Sequence, residues 1–134
     1  MVFDPEVRAI EPELIAWRRH MHQHPEVSFE ETRTTLWLEE RLRELGVDNI
    51  DRPTETGLVA HIHGTKAGKP AVVAFRADID ALPMHEENDL SYCSENPAAM
   101  HACGHDGHAA MLLATAKLLQ AHRESFCGEA RLVF

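Results

Sequence analysis

Two short apolar runs, residues 71–75 (Ala-Val-Val-Ala-Phe) and residues 130–134 (Ala-Arg-Leu-Val-Phe), bracket one long helical pattern at residues 106–122. A strand, a helix and a second strand in that order read as a βαβ crossover, which lays two parallel strands in one sheet through a right-handed connection. The run 71–75 does not alternate, so it is expected to be covered on both faces, in the interior of an α/β sheet. In the helical pattern, Ala110, Met111, Ala114 and Leu118 form a broad apolar stripe suited to packing on that sheet.

The segments before this unit supply helices and one more strand. Asp4 followed by Pro5 makes a helix start, because Asp caps free amides and Pro at the first helical position loses no hydrogen bond. Pro12 is expected to divide the opening into a short turn and a helix over 13–22, with Leu14, Ile15, Trp17 and Met21 on its apolar face and Pro25 beyond its end. Ser28 to Glu31 has capping-box spacing, and Leu38, Leu42 and Leu45 followed by Gly46 mark a helix over 29–45. Residues 58–63 alternate as a half-covered strand, and the Gly- and Lys-containing stretch 64–70 reads as its hairpin connection to 71–75. Residues 84–99 are polar and irregular, and a loop of that length inside a compact domain is usually functional or disordered.

With 134 residues, 44% of them hydrophobic, the chain can build one domain with a modest core. A net charge of −9 without any Lys/Arg cluster argues against nucleic acid and against an anionic membrane surface, which leaves small molecules as partners. No segment approaches the ~18 apolar residues of a membrane span, and the opening residues lack the basic and apolar regions of a leader. Three cysteines, Cys93, Cys103 and Cys127, form an odd set without framework spacing, so a reducing, cytoplasmic setting is expected.

The chemistry is concentrated where the helix of the crossover begins. Met100-His-Ala-Cys-Gly-His-Asp-Gly-His108 places His101, Cys103, His105 and His108 in one loop. In an extended segment alternate side chains share a face, so His101, Cys103 and His105 can point the same way, with His108 on the first helical turn. Thiolate and imidazole together suit zinc, manganese, cobalt or nickel, not calcium or magnesium. A lone Cys acts as a small hydrophobe and a lone His as a cap; four such residues with two glycines favour a metal. Asp78 and Asp80 follow the strand 71–75 at its carboxyl end, where open α/β sheets bind ligands and where the helix entrance also lies. Either aspartate could fix a ligating imidazole from behind; equally, both could simply pair with Arg76. Cys103 and His105 alone fall short of the three protein ligands of a catalytic zinc, and none of Glu86, Glu87, Glu95, Glu124 or Glu129 is marked as a general base. Thiol chemistry at Cys103 is a weaker alternative.

Three motifs, Arg18-Arg-His-Met-His-Gln-His-Pro-Glu26, Arg76-Ala-Asp-Ile-Asp-Ala-Leu-Pro83 and the Met100–His108 loop, together resemble the amino-terminal third of metal-dependent amidohydrolases of the aminoacylase and carboxypeptidase superfamily, including hippurate hydrolase and indoleacetyl-amino-acid hydrolase. The resemblance implies a zinc-peptidase-like three-layer αβα domain with a mixed sheet, incomplete here, of which residues 1–134 are the amino-terminal part, with a lid and dimerisation domain absent. It implies Cys103 and His105 as metal ligands and Asp78 as the catalytic-site aspartate, with His101 and His108 lining or structural. It further implies two divalent ions in the complete enzyme, and hydrolysis of an N-acyl amino acid or short peptide by metal-activated water. Family members carry a pair of glutamates and two further histidines after the strand equivalent to residues 131–134, so this chain alone is expected to be inactive. The alternative is a metal-binding or assembly module completed by another chain or by homo-oligomerisation through an exposed sheet edge.

Overall fold

The structure is a computed structural model that describes residues 4–134; Met1 to Phe3, part of the stretch read as lacking a leader, lie outside the described residues. The first helix, α1 (Pro5–Gln23), is capped by Asp4, whose Oδ1 accepts from Glu6 N at 2.9 Å. It runs unbroken through Pro12, where a turn and a separate helix were expected. Residues 4–9 are exposed, so a carbonyl that loses its partner to Pro12 is met by water and the helix need not stop.

Helix α2 (Thr32–Glu44) starts three residues later than the capping-box spacing predicts. Ser28 gives its hydroxyl to Asp80 (3.0 Å), and Phe29 sits at φ 68°. The free amides of α2 are met instead by Glu26, which accepts from Thr34 N (2.7 Å), Thr34 Oγ1 (2.8 Å) and Arg33 N (3.2 Å). Burial opposes ionisation of Glu26, and these bonds outweigh it and hold the carboxyl below its ordinary range.

Strands β1 (Ile50–Asp51), β2 (Val59–Thr65), β3 (Val72–Arg76) and β4 (Cys127–Val133) form one mixed sheet in the order β1-β2-β4-β3. Helix α3 (His105–Ala121) and a 3₁₀ turn (Arg123–Ser125) join β3 to β4. The parallel β3–β4 pair, with Val73 opposite Ala130, is the expected crossover. Two expectations are corrected. Residues 64–70 are not a hairpin, because β4 lies between β2 and β3 and pairs antiparallel with β2. β3 is an edge strand and all five of its residues are exposed. An apolar run reports burial only when the neighbours on both sides exist, and β3 has one neighbour among the described residues.

Strand alternation puts Ala60, Ile62, Ala130 and Leu132 on one face, where they pack with Met21 of α1, Leu38 and Leu42 of α2, and Ala109, Ala110, Leu113 and Ala116 of α3 in a single core. His61, Glu129 and Arg131 lie on the other face. The fold is thus α/β as expected, with one helical layer over a mixed sheet among the described residues.

Candidate metal centre

Beyond Arg76 the chain leaves the sheet and is tied on both sides. Ala81 N donates to Glu26 O (2.8 Å), while Leu82 and Met100 exchange two backbone bonds of 3.0 Å. This lays Asp80 beside the donor loop. Cys103 Sγ is 3.6 Å from the Asp80 carbonyl oxygen. His105 Nδ1 is 3.1 Å from that same oxygen and 2.8 Å from Asp80 Oδ1. Carbonyl and carboxylate only accept, so Nδ1 carries the proton and Nε2 keeps its lone pair for another partner. Burial opposes ionisation of Asp80, but hydrogen bonds from Ser28 and His105 outweigh it and hold the carboxyl below its ordinary range.

Cys103 and His105 are therefore brought together, on Asp80. Asp78 is paired with Arg76 at 2.5 Å, on the wall of a cleft of about 460 Å³ that Ser28, Asp80, Thr54 and Phe134 also line. His101 departs from the expected alternation: residues 102–103 form a turn, and His101 is buried, with neither ring nitrogen partnered. Burial holds its imidazole down at about 4. His108 is exposed in the first helical turn, its ring centroid 6.1 Å from that of His105.

A second constellation is not legible in the motifs. His22, which a helical position would place in solvent by default, is 3% exposed. Its Nδ1 is 2.7 Å from Asp106 Oδ2 and its Nε2 is 3.2 Å from Glu86 Oε1. Arg18 Nε reaches the same Asp106 oxygen at 2.8 Å. Glu86 also accepts from Ser94 N (2.6 Å) and Asn88 Nδ2 (3.0 Å). Burial opposes its ionisation, and the bonds from Ser94, Asn88 and His22 overcome this and bring it to about 2. The available signal was position: His22 follows Met21 on the apolar stripe and lies four residues after Arg18.

Among the described residues no three His, Cys, Asp or Glu side chains converge as a metal-holding group. The half-buried Cys103 thiol and the unengaged Nε2 of His105 nevertheless fit two positions in the shell of a borderline divalent cation, and Asp80 supplies the outer hydrogen bond such a His requires.

A mixed four-stranded sheet under one helical layer, with Cys103 and His105 meeting at the helix entrance, defines an α/β domain. Residues 74–134 match the model of peptidase family M20/M25/M40. The chain is 48% identical over 128 residues to an N-acyl-L-amino acid amidohydrolase of Geobacillus stearothermophilus, covering 96% of this chain and 34% of that protein. It is 46% identical to thermostable carboxypeptidase 1 of Saccharolobus solfataricus, covering 96% of this chain and 33% of the relative. A dinuclear metal-binding M20 peptidase of Bacillus subtilis superposes with a TM-score of 0.88 at 43% identity, over 95% of this chain and 35% of that one. Residues 74–134 belong by that match to peptidase family M20/M25/M40, and the chain spans about a third of the length of the curated relatives it matches.

Proposed function

We propose that residues 1–134 form the amino-terminal part of the catalytic domain of a cytoplasmic, metal-dependent hydrolase that cleaves the amide bond of N-acyl amino acids or short peptides. The observation that carries this reading is the meeting of Cys103 Sγ and His105 Nδ1 on Asp80, which leaves Nε2 of His105 free for a cation. The amidohydrolase and deacetylase names of its relatives support the choice of bond. Cys103 and His105 would hold zinc, manganese, cobalt or nickel, one of two ions in the whole enzyme. A bound cation of this kind lowers the pKa of water and polarises a carbonyl. Asp80 fixes the tautomer of His105. Asp78, on the cleft wall, holds the Arg76 guanidinium beside the space a substrate would enter.

Two donors are fewer than the three protein ligands of a catalytic zinc, so this chain by itself is expected to have no turnover. The test is a Co²⁺ titration followed by the thiolate-to-cobalt absorption band, with N-acetyl amino acid hydrolysis assayed in parallel. A band in the native chain that disappears in Cys103→Ser and weakens in His105→Ala, without hydrolysis, is the expected result. No band, or one that survives Cys103→Ser, removes the reading. A second reading, a metal-binding module completed by another chain, is favoured by the exposed edge strand β3.

A further inference from the structure

We propose that His22 is a positioning residue for the donor loop: a buried crosslink that holds the first turn of α3, and with it Cys103 and His105, against α1 and the 84–99 loop. The proposal rests on the assignment of Cys103 and His105 as metal donors. The residue comes from the last turn of α1, yet its ring is bonded to carboxylates 84 and 64 residues further along the chain. Arg18, one turn earlier, supports the same junction: it pairs with Asp106 at 2.8 Å and its guanidinium carbon lies 5.4 Å from the ring centroid of Tyr92 in the 84–99 loop.

The direction of the argument is set by how α3 begins. Its N-cap is Gly104, at φ 86°, which has no side chain to meet the free amides of the first turn. Asp106, 1% exposed, reinforces this turn from inside the helix, its Oδ1 accepting at 2.9 Å from Gly107 N, which also donates to Gly104 O at 3.0 Å. The other oxygen of Asp106 is fixed by His22 and Arg18. The orientation of the turn that carries His105 is therefore set from α1 as well as from the loop's own sequence. On the far side of the ring, Glu86 is held by Ser94 N and Asn88, so the same imidazole pins the 84–99 loop, whose last residue precedes Met100 and the donor segment. Two anchors then define the donors: Asp80 from below and the His22 crosslink through Asp106.

A ring placed only for stability would, on replacement by an apolar side chain, leave Asp106 and Glu86 buried without it and lower the stability of the fold, with the donors left as they were in the folded chain. Loss of a positioning ring disturbs the donors as well. The experiment uses the full 134-residue chain with His22→Leu and His22→Gln, the second of which keeps one hydrogen-bond donor for a carboxylate. Helix content is read by circular dichroism, amide hydrogen exchange at residues 103–107 by NMR, and Co²⁺ affinity by the thiolate band. The expected result is retained helix content, faster exchange at 103–107, and a loss of Co²⁺ affinity of about 10- to 100-fold in His22→Leu that His22→Gln partly restores. Unchanged Co²⁺ affinity and exchange in folded His22→Leu overturns the proposal. Failure of both variants to fold also overturns it, since His22 is then a residue of the fold and not of the site. If the native chain gives no cobalt–thiolate band, the metal assignment falls, while exchange at 103–107 still decides whether the crosslink orders the loop.

Discussion

Asp80 governs His105 while Asp78, two residues earlier, does not touch it. In the sequence the two aspartates are equivalent, since both follow a strand and both lie near Arg76; what separates them is the pairing of Ala81 with Glu26 and of Leu82 with Met100, contacts between distant segments. The meeting of Cys103 with His105 was legible, because the two residues stand two positions apart in one short loop. His22 was not, because its partners stand 64 and 84 residues away. Removing the Asp80 carboxylate leaves His105 with the backbone carbonyl alone, so Asp80→Ala is expected to raise the share of the Nε2–H tautomer and to lower Co²⁺ affinity by about 10- to 100-fold. Asp80→Asn should fall between, as its amide oxygen still accepts. Long-range ¹H–¹⁵N correlation of the His105 ring reads the tautomer directly, and an unchanged ring pattern in Asp80→Ala would refute the assignment. Glu86 yields a pH prediction of defined sign. Its carboxyl falls from 4.5 to about 2 on folding, so the stability it contributes is complete above about pH 4.5 and is lost as pH falls through about 2. The difference in urea midpoint between the native chain and Glu86→Gln should shrink across that window; a constant difference contradicts the linkage.

At the scale of elements, the helices were readable from their periodicity and the strands were less so. The α3 pattern places alanines where the helix meets the sheet, and Ala109, Ala110 and Ala116 are fully buried there with Leu113. Deleting the Leu113 side chain in Leu113→Ala is expected to cost about 2–5 kcal/mol, measured by urea unfolding. For β3 the sequence reports an apolar run but not its neighbours, and neighbours decide between centre and edge. Nor could a run reveal that β4 would intervene between β2 and β3, since strand order depends on which backbones can approach. One such approach is visible at Gly128, at φ 97°, where an added Cβ would collide with the backbone of Ala71. Gly128→Ala should therefore strain the β3–β4 pair at its start and destabilise by about 1–3 kcal/mol or more. Faster exchange of the Glu129 amide, which donates to Ala71 O at 2.8 Å, would locate the damage. An unaltered Glu129 amide with full stability would show that the strands can separate there at no cost.

For the whole molecule, helices fill one face of the sheet, and of its two edge strands among the described residues β3 is the longer and the apolar one. Val72, Val73 and Phe75 on β3 are 57%, 53% and 43% exposed, and the outer backbone edge of that strand has no strand beside it among the described residues. Natural edge strands commonly carry lysines or prolines that block pairing with another copy; residues 72–75 carry neither. Apolar surface and free backbone groups thus favour association, while a net charge of −9 on every copy opposes it. Screening acts on the repulsion alone, because the Debye length shrinks from about 10 Å at 0.1 M salt to about 3 Å at 1 M. The weight-average mass in sedimentation equilibrium is accordingly expected to rise with protein concentration and to rise further with added salt. Val72→Lys puts a charge on the edge strand opposite Glu129, on the face away from the helices, and should suppress the rise while leaving the urea midpoint at low concentration unchanged. A native chain that stays monomeric at high salt and high concentration would mean that the edge is protected by its own twist, and would remove the main support for a module completed by a second copy.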